Sequence, residues 1–105
     1  MSGRAELLSI IVPVYNEVAT SRAVLDRLLA ADLPLPREIV VVDDGSTDGT
    51  AQVLDAAVRE HLPLVVFHAE RNGGKGTAIR LGLQHARGSI IAIQDADLEL
   101  DPQQL

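Results

Sequence analysis

Asp95, Asp97, Glu99 and Asp101 set four carboxylates within seven residues, with no basic residue among them. Such a group repels itself unless a cation or solvent separates the charges. Hard divalent cations such as Mg²⁺ or Mn²⁺ take carboxylate oxygen readily and leave coordination positions for substrate phosphates. Two acids spaced i and i+2 as the chain leaves a strand can turn onto one ion. The same acids equally suit a solvated turn ahead of a helix, since Asp101-Pro102 has the form of an N-cap and first helical residue and negative charge is favourable there.

A second polar cluster is Asp43-Asp44-Gly45-Ser46-Thr47-Asp48-Gly49-Thr50. A carboxylate here can accept hydrogen bonds from a nucleotide base or a ribose hydroxyl, as acids at strand ends do. Asp, Ser and Thr are also ordinary turn and N-cap residues, so at least one of them is expected to serve only as a cap. Gly73-Gly74-Lys75-Gly76 combines backbone amides at a helix start with a lysine, which fits a phosphate and fits equally a turn that feeds a helix. It departs from the specific phosphate loops: Ala69 and Gly76 stand where a Walker loop needs Gly and Ser or Thr, and Ile79 where a dinucleotide fingerprint needs Gly or Ala. The acidic run likewise departs from a calcium loop, with Leu100 at the glycine position.

Tyr15, the only tyrosine, falls at a strand end, which suits ring contact with a base or sugar. Glu17 can touch a ligand or favour a helix start. His61, His68 and His85 have no zinc-ligand spacing and read as structural. No serine–histidine–acid or lysine nucleophile arrangement stands out, which argues against covalent catalysis.

The composition narrows the partners. The chain has 105 residues, 15 acidic and 9 basic, with a formal charge of −6. That balance argues against nucleic-acid binding or a polybasic membrane anchor, both of which need excess Lys and Arg. With no cysteine, any metal must sit on oxygen or histidine. The longest apolar run, Leu7 to Tyr15, is broken by Ser9 and Pro13 and falls far short of the ~20 residues of a spanning helix. Glu6 beside it, and the absence of a small-residue cleavage site, argue against a signal peptide. The expectation is one compact, soluble, cytoplasmic domain.

An apolar run, a polar turn and an amphipathic stretch recur to give β-α-β-α-β-α-β. Strands are expected at 8–14, 38–43, 64–68 and 89–94. The first is apolar on both faces, as a central strand covered by helices would be. Helices are expected at 18–31, ended by Pro34 and Pro36 and burying Val24, Leu25, Leu28 and Leu29, and at 50–61, burying Val53, Leu54, Ala57 and Val58. A third follows the glycine loop, with Ile79, Gly82, Leu83 and Ala86 on one face and Gly88 as its C-terminal cap. This alternation predicts an α/β fold, a Rossmann-like, mostly parallel sheet with helices on both faces. In strand order 3-2-1-4 the reversal lies between the first and fourth strands, so the polar clusters at 15–17, 43–44 and 95–97 converge on one cleft.

Val12-Pro13-Val14-Tyr15-Asn16-Glu17, Val42 to Thr50, Asn72-Gly73-Gly74-Lys75-Gly76-Thr77-Ala78 and Gln94-Asp95-Ala96-Asp97-Leu98-Glu99 together resemble the ordered motifs of the N-terminal half of a family-2 inverting glycosyltransferase with the GT-A fold. Each is weak alone; four in order are a strong signal. The last, followed by Leu100-Asp101-Pro102, is most similar to the branch that moves mannose or glucose onto dolichyl or other polyprenyl phosphates.

The resemblance implies that Pro13, Tyr15, Glu17 and Asp44 line the nucleoside pocket, with Asp43 supporting it and Asp95 nearby. Asp97 and Glu99 would hold Mg²⁺ or Mn²⁺, and Asp95 and Asp97 would be the catalytic acids. Glu99 stands where many relatives of this branch carry Gln, which keeps oxygen ligation and adds charge. Implied partners are a UDP-glucose or GDP-mannose type donor and a lipid-phosphate acceptor, with the full-length protein peripheral at the cytoplasmic membrane face. The family's domain is about twice this length. The chain is therefore expected to be a partial GT-A domain spanning 1–105, lacking the acceptor half and inefficient in transfer alone, with the fourth strand as an open edge for self-association.

Three other readings compete. A non-catalytic nucleotide- or metal-binding module would bind donor without turning it over. A sugar nucleotidyltransferase would place its glycine-rich loop after the first strand, whereas here it follows the third. A receiver domain would carry paired acids after the first strand, where this chain has Tyr15-Asn16-Glu17.

Overall fold

The computed structural model describes residues 6–60 and 63–96. Four strands and three helices alternate along the chain: β1 (Leu8–Val14), α1 (Ser21–Ala30), β2 (Arg37–Asp43), α2 (Thr50–Glu60), β3 (Leu64–His68), α3 (Lys75–His85) and β4 (Ile90–Ile93). The sheet order is β3-β2-β1-β4 and every pair is parallel. The expected α/β class, element order and strand order are all found. In register, Val14 pairs with Asp43 and Asp43 with His68, so three strand ends finish level.

Alternation along β1 and β2 divides the sheet into two faces. Ile10, Val12, Val14, Ile39 and Val41 form one core with Leu25 of α1 and with Leu54 and Ala57 of α2, while Leu28, Leu29 and Val58 pack on its margin. This is the stripe the helical spacing predicted. On the other face α3 packs against β1 and β2. Its buried residues are Ala78 and Gly82, and Leu83, expected on the buried face, is 45% exposed. The cause is close approach: a Cβ on Gly82 would lie 2.6 Å from Ile11 Cγ2, so the helix seats on its small residues.

Both ends of α1 and the end of α3 differ from the sequence expectation, and β2, α2 and β4 differ by no more than a single residue at either end. α1 begins at Ser21 because residues 17–20 form a turn closed by Ser21 N–H donating to Glu17 O at 2.9 Å. It stops at Ala30, before the prolines, and Arg37 Nη1 donates to its terminal carbonyls at Leu28 (2.6 Å) and Leu29 (3.4 Å). α3 ends at His85 with Ala86 as its cap, so Gly88 is not the cap. Gly88 instead lies where a Cβ would come within 2.4 Å of Leu7 O, and its amide donates to Ser9 Oγ at 2.8 Å.

That contact belongs to a buried polar cluster at the amino ends of the strands. Glu38, 6% exposed, accepts from Ser9 Oγ (2.5 Å), the Arg87 amide (2.6 Å) and Arg87 Nε (3.1 Å). Burial acts to raise its pKa, but the Arg87 amide, the Ser9 hydroxyl and the Arg87 guanidinium outweigh it and hold the carboxyl below its ordinary range. The cluster ties β1, β2 and the α3–β4 connection together at the end away from the polar loops.

β4 differs from the other strands. Ile90, Ile91 and Ile93 are 38%, 40% and 50% exposed. No helix among the described residues is long and apolar enough to cross a membrane.

Candidate functional site

A cavity of about 300 Å³ opens beyond the carboxyl ends of the strands, at the point where strand order reverses. β1 and the turn after it supply Pro13, Tyr15 and Glu17 to its wall. The chain leaving β2 supplies Asp44, the start of α3 supplies Gly74 and Lys75, and the chain leaving β4 supplies Asp95 and Ala96. Parallel strands on either side of the reversal send their connections in opposite directions, and the gap between those connections is this cavity.

The Tyr15–Glu17 wall is held by the turn that follows β2. Asn16 adopts φ 52°, a left-handed conformation that asparagine tolerates better than most residues. The Asn16 amide donates to Ser46 Oγ at 2.9 Å, and Asn16 Oδ1 accepts from the Thr47 amide at 2.7 Å. The Glu17 amide donates to Thr50 Oγ1 (3.0 Å) and the Val18 amide to Asp48 Oδ2 (3.3 Å). Ser46, Thr47, Asp48 and Thr50 thus clamp the turn that presents Tyr15 and Glu17. Asp48 is also the expected cap, accepting from the Thr50 amide at 3.0 Å and from the Thr50 hydroxyl at the start of α2. That Thr50 hydroxyl, acting against slight desolvation and joined by the Thr50 and Val18 amides, lowers the Asp48 pKa.

Asp44, 4% exposed, reaches the opposite side of the sheet from Asp43 and holds the glycine loop. Its Oδ1 accepts from the Gly73 amide and its Oδ2 from the Gly74 amide, both at 2.9 Å. Two of the amides that a phosphate-loop reading would aim at ligand are therefore engaged with a protein carboxylate, and Lys75 is the loop's charged group on the cavity. Gly45 is required beside it: at φ 79° an added Cβ would lie 2.5 Å from the Arg71 carbonyl carbon.

Lys75 Nζ lies 2.5 Å from Asp95 Oδ1, an ion pair bridging the α3 and β4 sides of the cavity with both side chains more than half exposed. The acidic segment is anchored one residue further on, where Thr20 Oγ1 donates to Ala96 O at 2.9 Å across 76 positions of sequence. Asp97 and Glu99 lie outside the described residues, as does the helix start expected at Asp101-Pro102. Among the described residues no group of three or more His, Cys, Asp or Glu could hold a metal. Asp95 puts a half-exposed carboxylate on the cavity wall two residues before Asp97, and the carboxylate oxygens of Asp97 and Glu99 are of the donor type that suits Mg²⁺ or Mn²⁺.

Pro13, Tyr15, Glu17, Asp44 and Asp95 are thus brought together. Asp43 is not on the cavity wall; its carboxylate lies behind, engaged with Ser46 and His68. The sequence reasoning missed Thr20, the double hold of Asp44 on the loop, and the pairing of His68 with Asp43 and Asp55. Strand alternation at Asp43-Asp44 was the available signal for the second of these. His85 has the structural role expected for it, stacked on Phe67 with ring centroids 3.9 Å apart.

A cavity at the topological switch point, walled by an aromatic ring, carboxylates and a lysine, lies where doubly wound α/β domains bind their ligands. The chain belongs to glycosyl transferase family 2, whose family model matches residues 9–105. It is 42% identical over 103 residues to the undecaprenyl-phosphate 4-deoxy-4-formamido-L-arabinose transferase of Pseudomonas aeruginosa strain LESB58, covering 95% of this chain and 30% of that relative. Its fold is similar to the mannosyltransferase PcManGT of Pyrobaculum calidifontis in complex with GDP-Man and Mn²⁺, with TM-score 0.80, 34% identity, and coverage of 90% of this chain and 28% of that one. It is also similar to S. aureus TarS in complex with UDP-GlcNAc, with TM-score 0.77, 38% identity, and coverage of 86% and 26%. The chain spans less than a third of the length of each.

Proposed function

We propose that these residues form the donor-binding part of a metal-dependent inverting glycosyltransferase that moves a hexose from a nucleotide sugar to a polyprenyl phosphate. The observation that carries this reading is the convergence of Tyr15, Glu17, Asp44, Lys75 and Asp95 on one cavity at the switch point. The likeness to an undecaprenyl-phosphate transferase supports the lipid-phosphate acceptor. The complexes of the two structural neighbours with GDP-Man and Mn²⁺ and with UDP-GlcNAc support a nucleotide-sugar donor and a divalent cation.

In this reading the nucleoside lies against Tyr15 and Pro13, and Glu17 and Asp44 offer carboxylate lone pairs to its hydroxyl and N–H groups. Asp95 and Lys75 face the sugar and diphosphate side, where the ammonium offsets negative charge. Asp97 and Glu99 would hold the cation, which supplies charge neutralisation for a departing nucleoside diphosphate when bound. An acceptor phosphate oxygen forms the new bond to the anomeric carbon on the face opposite the breaking bond to the diphosphate, which inverts that centre. A phosphate oxygen is already ionised at neutral pH, so no strong general base is required.

Calorimetric titration of UDP-glucose and of GDP-mannose, with and without Mn²⁺, against the wild type and Asp97→Ala tests the reading. Mn²⁺-dependent binding of one donor, lost in Asp97→Ala, is the expected result. A folded chain that binds neither donor overturns it. Binding without acceptor-dependent turnover by these 105 residues alone agrees with a donor-binding part of a transferase.

A further inference from the structure

His68 ends β3 with both ring nitrogens on carboxylates. Nδ1 lies 2.8 Å from Asp43 Oδ2 and Nε2 lies 2.7 Å from Asp55 Oδ1. Asp43, from β2, is 3% exposed, and Asp55, from α2, is 53% exposed. An ionised carboxylate only accepts, so a ring flanked by two of them donates at both nitrogens, as only the imidazolium does. The other oxygen of Asp43 accepts from the Ser46 amide at 3.0 Å. Ser46 Oγ in turn accepts from the Asn16 amide, and Asn16 stands between Tyr15 and Glu17 of the cavity wall.

We propose that His68 is a positioning residue for the nucleotide pocket: its imidazolium fixes the buried carboxylate of Asp43, which fixes the Ser46 turn that holds Asn16 in its left-handed conformation. The proposal rests on reading the cavity as a nucleotide site. His68 does not line the cavity and touches no ligand there. Its influence passes through one side of the sheet, whereas Asp44 acts on the other.

Among the described residues, the charged groups paired with the ring are Asp43 from β2 and Asp55 from α2. Partial burial acts to lower the His68 pKa, but the Asp55 and Asp43 carboxylates outweigh it and raise it above the ordinary 6.5. As pH rises through that raised value the ring keeps one N–H. One of the two carboxylates then loses its donor and the other faces a neutral one.

Two measurements on the 105-residue chain test this. In the first, without nucleotide, NMR follows the His68 ring and the backbone amides of Ser46, Thr47 and Asn16 from pH 5.5 to 9. The expected result is that the three amides shift with the midpoint of the ring; amides that stay still through the ring's titration overturn the proposal. In the second, UDP and GDP are each titrated with Mn²⁺ against wild type, His68→Ala and His68→Asn. Asn keeps a donor near the Nδ1 position and cannot titrate. His68→Ala should bind the preferred nucleotide about tenfold more weakly, the scale of a lost hydrogen bond to a charged group. His68→Asn should recover most of that affinity. Equal loss in both variants overturns the proposal in favour of simple structural damage. If wild type binds neither nucleotide, the functional reading fails and the first measurement still decides the coupling of His68 to the turn.

Discussion

Asp43 and Asp44 are adjacent in the chain and work on opposite sides of the sheet. Asp43 engages His68 and the Ser46 amide on the α2 side, and Asp44 engages the Gly73 and Gly74 amides on the α3 side. One dipeptide at the end of a central strand therefore shapes two walls of the cavity. β-Strand alternation makes this possible, since successive side chains leave opposite faces.

Asp44→Ala should destabilise the fold by about 2–4 kcal/mol, because it removes two charge-assisted hydrogen bonds made by a buried carboxylate. Chemical denaturation measures the loss, and hydrogen exchange locates it: the Gly73 and Gly74 amides should exchange faster than the rest of the sheet. An unchanged midpoint with unchanged exchange at these glycines removes Asp44 from this role. Asp44→Asn keeps an acceptor for one amide and should fall between.

Glu38→Gln should cost about 1–3 kcal/mol at pH 7, since the amide replaces a buried acceptor of three hydrogen bonds with a group that can accept at only one end. The Glu38 pKa is lowered on folding from its ordinary 4.5, so its contribution is complete above about pH 4.5 and is lost as pH falls through the folded value. The wild-type and variant stability curves should accordingly converge in acid. Parallel curves down to pH 3 contradict the assignment.

His68 carries the opposite sign. Its pKa is raised on folding, so the stability it contributes is complete below about 6.5 and disappears as pH rises through the folded value. Asp55→Asn takes away one of the two carboxylates that raise it. NMR titration of this variant should place the ring's midpoint below that of the wild type, and its stability should fall by less above about pH 6.5 and level off at a lower pH. A midpoint that does not move excludes Asp55 as a partner in solution.

Most of the fold was legible because the hydrophobic pattern changes period cleanly. Leu8–Val14 is apolar on both faces apart from Ser9, Ile39–Val42 is a continuous apolar run, Val24-Leu25-Leu28-Leu29 recur at helical spacing, and the polar segments between them are short. The cavity wall was legible for a topological reason: strand order 3-2-1-4 forces the residues after β1, β2 and β4 to one end. What was not legible depends on contacts remote in sequence. Thr20 meets Ala96 across 76 positions, and His68 meets Asp43 and Asp55 through the β2–β3 register and the placement of α2. Leu83 was misplaced because periodicity favours the larger apolar residue, whereas close packing on Ile11 selected Gly82.

Gly82→Ala tests that last point, with Gly76→Ala as its control on the same helix. In an open helical position Ala is favoured over Gly by up to about 1 kcal/mol. At Gly76 the nearest atom to an added Cβ is Arg80 Nη1 at 3.9 Å, so this substitution should stabilise slightly. At Gly82 the Cβ would meet the Cγ2 of fully buried Ile11 at 2.6 Å, an overpacking that costs about 1–3 kcal/mol and outweighs the propensity gain. Thermal denaturation should therefore move the two variants in opposite directions. Stabilisation of both would mean that α3 sits further from β1.

Thr20→Val separates positioning from stability at the acidic segment. Valine matches threonine in shape and lacks the hydroxyl that donates to Ala96 O, so the expected stability loss is about 0.5–1.5 kcal/mol, that of one neutral hydrogen bond. Ala96 lies between Asp95 and Asp97, and its carbonyl belongs to the peptide that leads into Asp97. Releasing that peptide should weaken Mn²⁺-dependent donor binding more than the small stability change accounts for, while leaving any metal-independent nucleotide binding at the Tyr15 side intact. Calorimetry with and without Mn²⁺ distinguishes the two. Equal loss in both conditions would place the effect of Thr20 on Glu17, whose carboxylate lies 3.1 Å from the same hydroxyl, and not on the acidic segment.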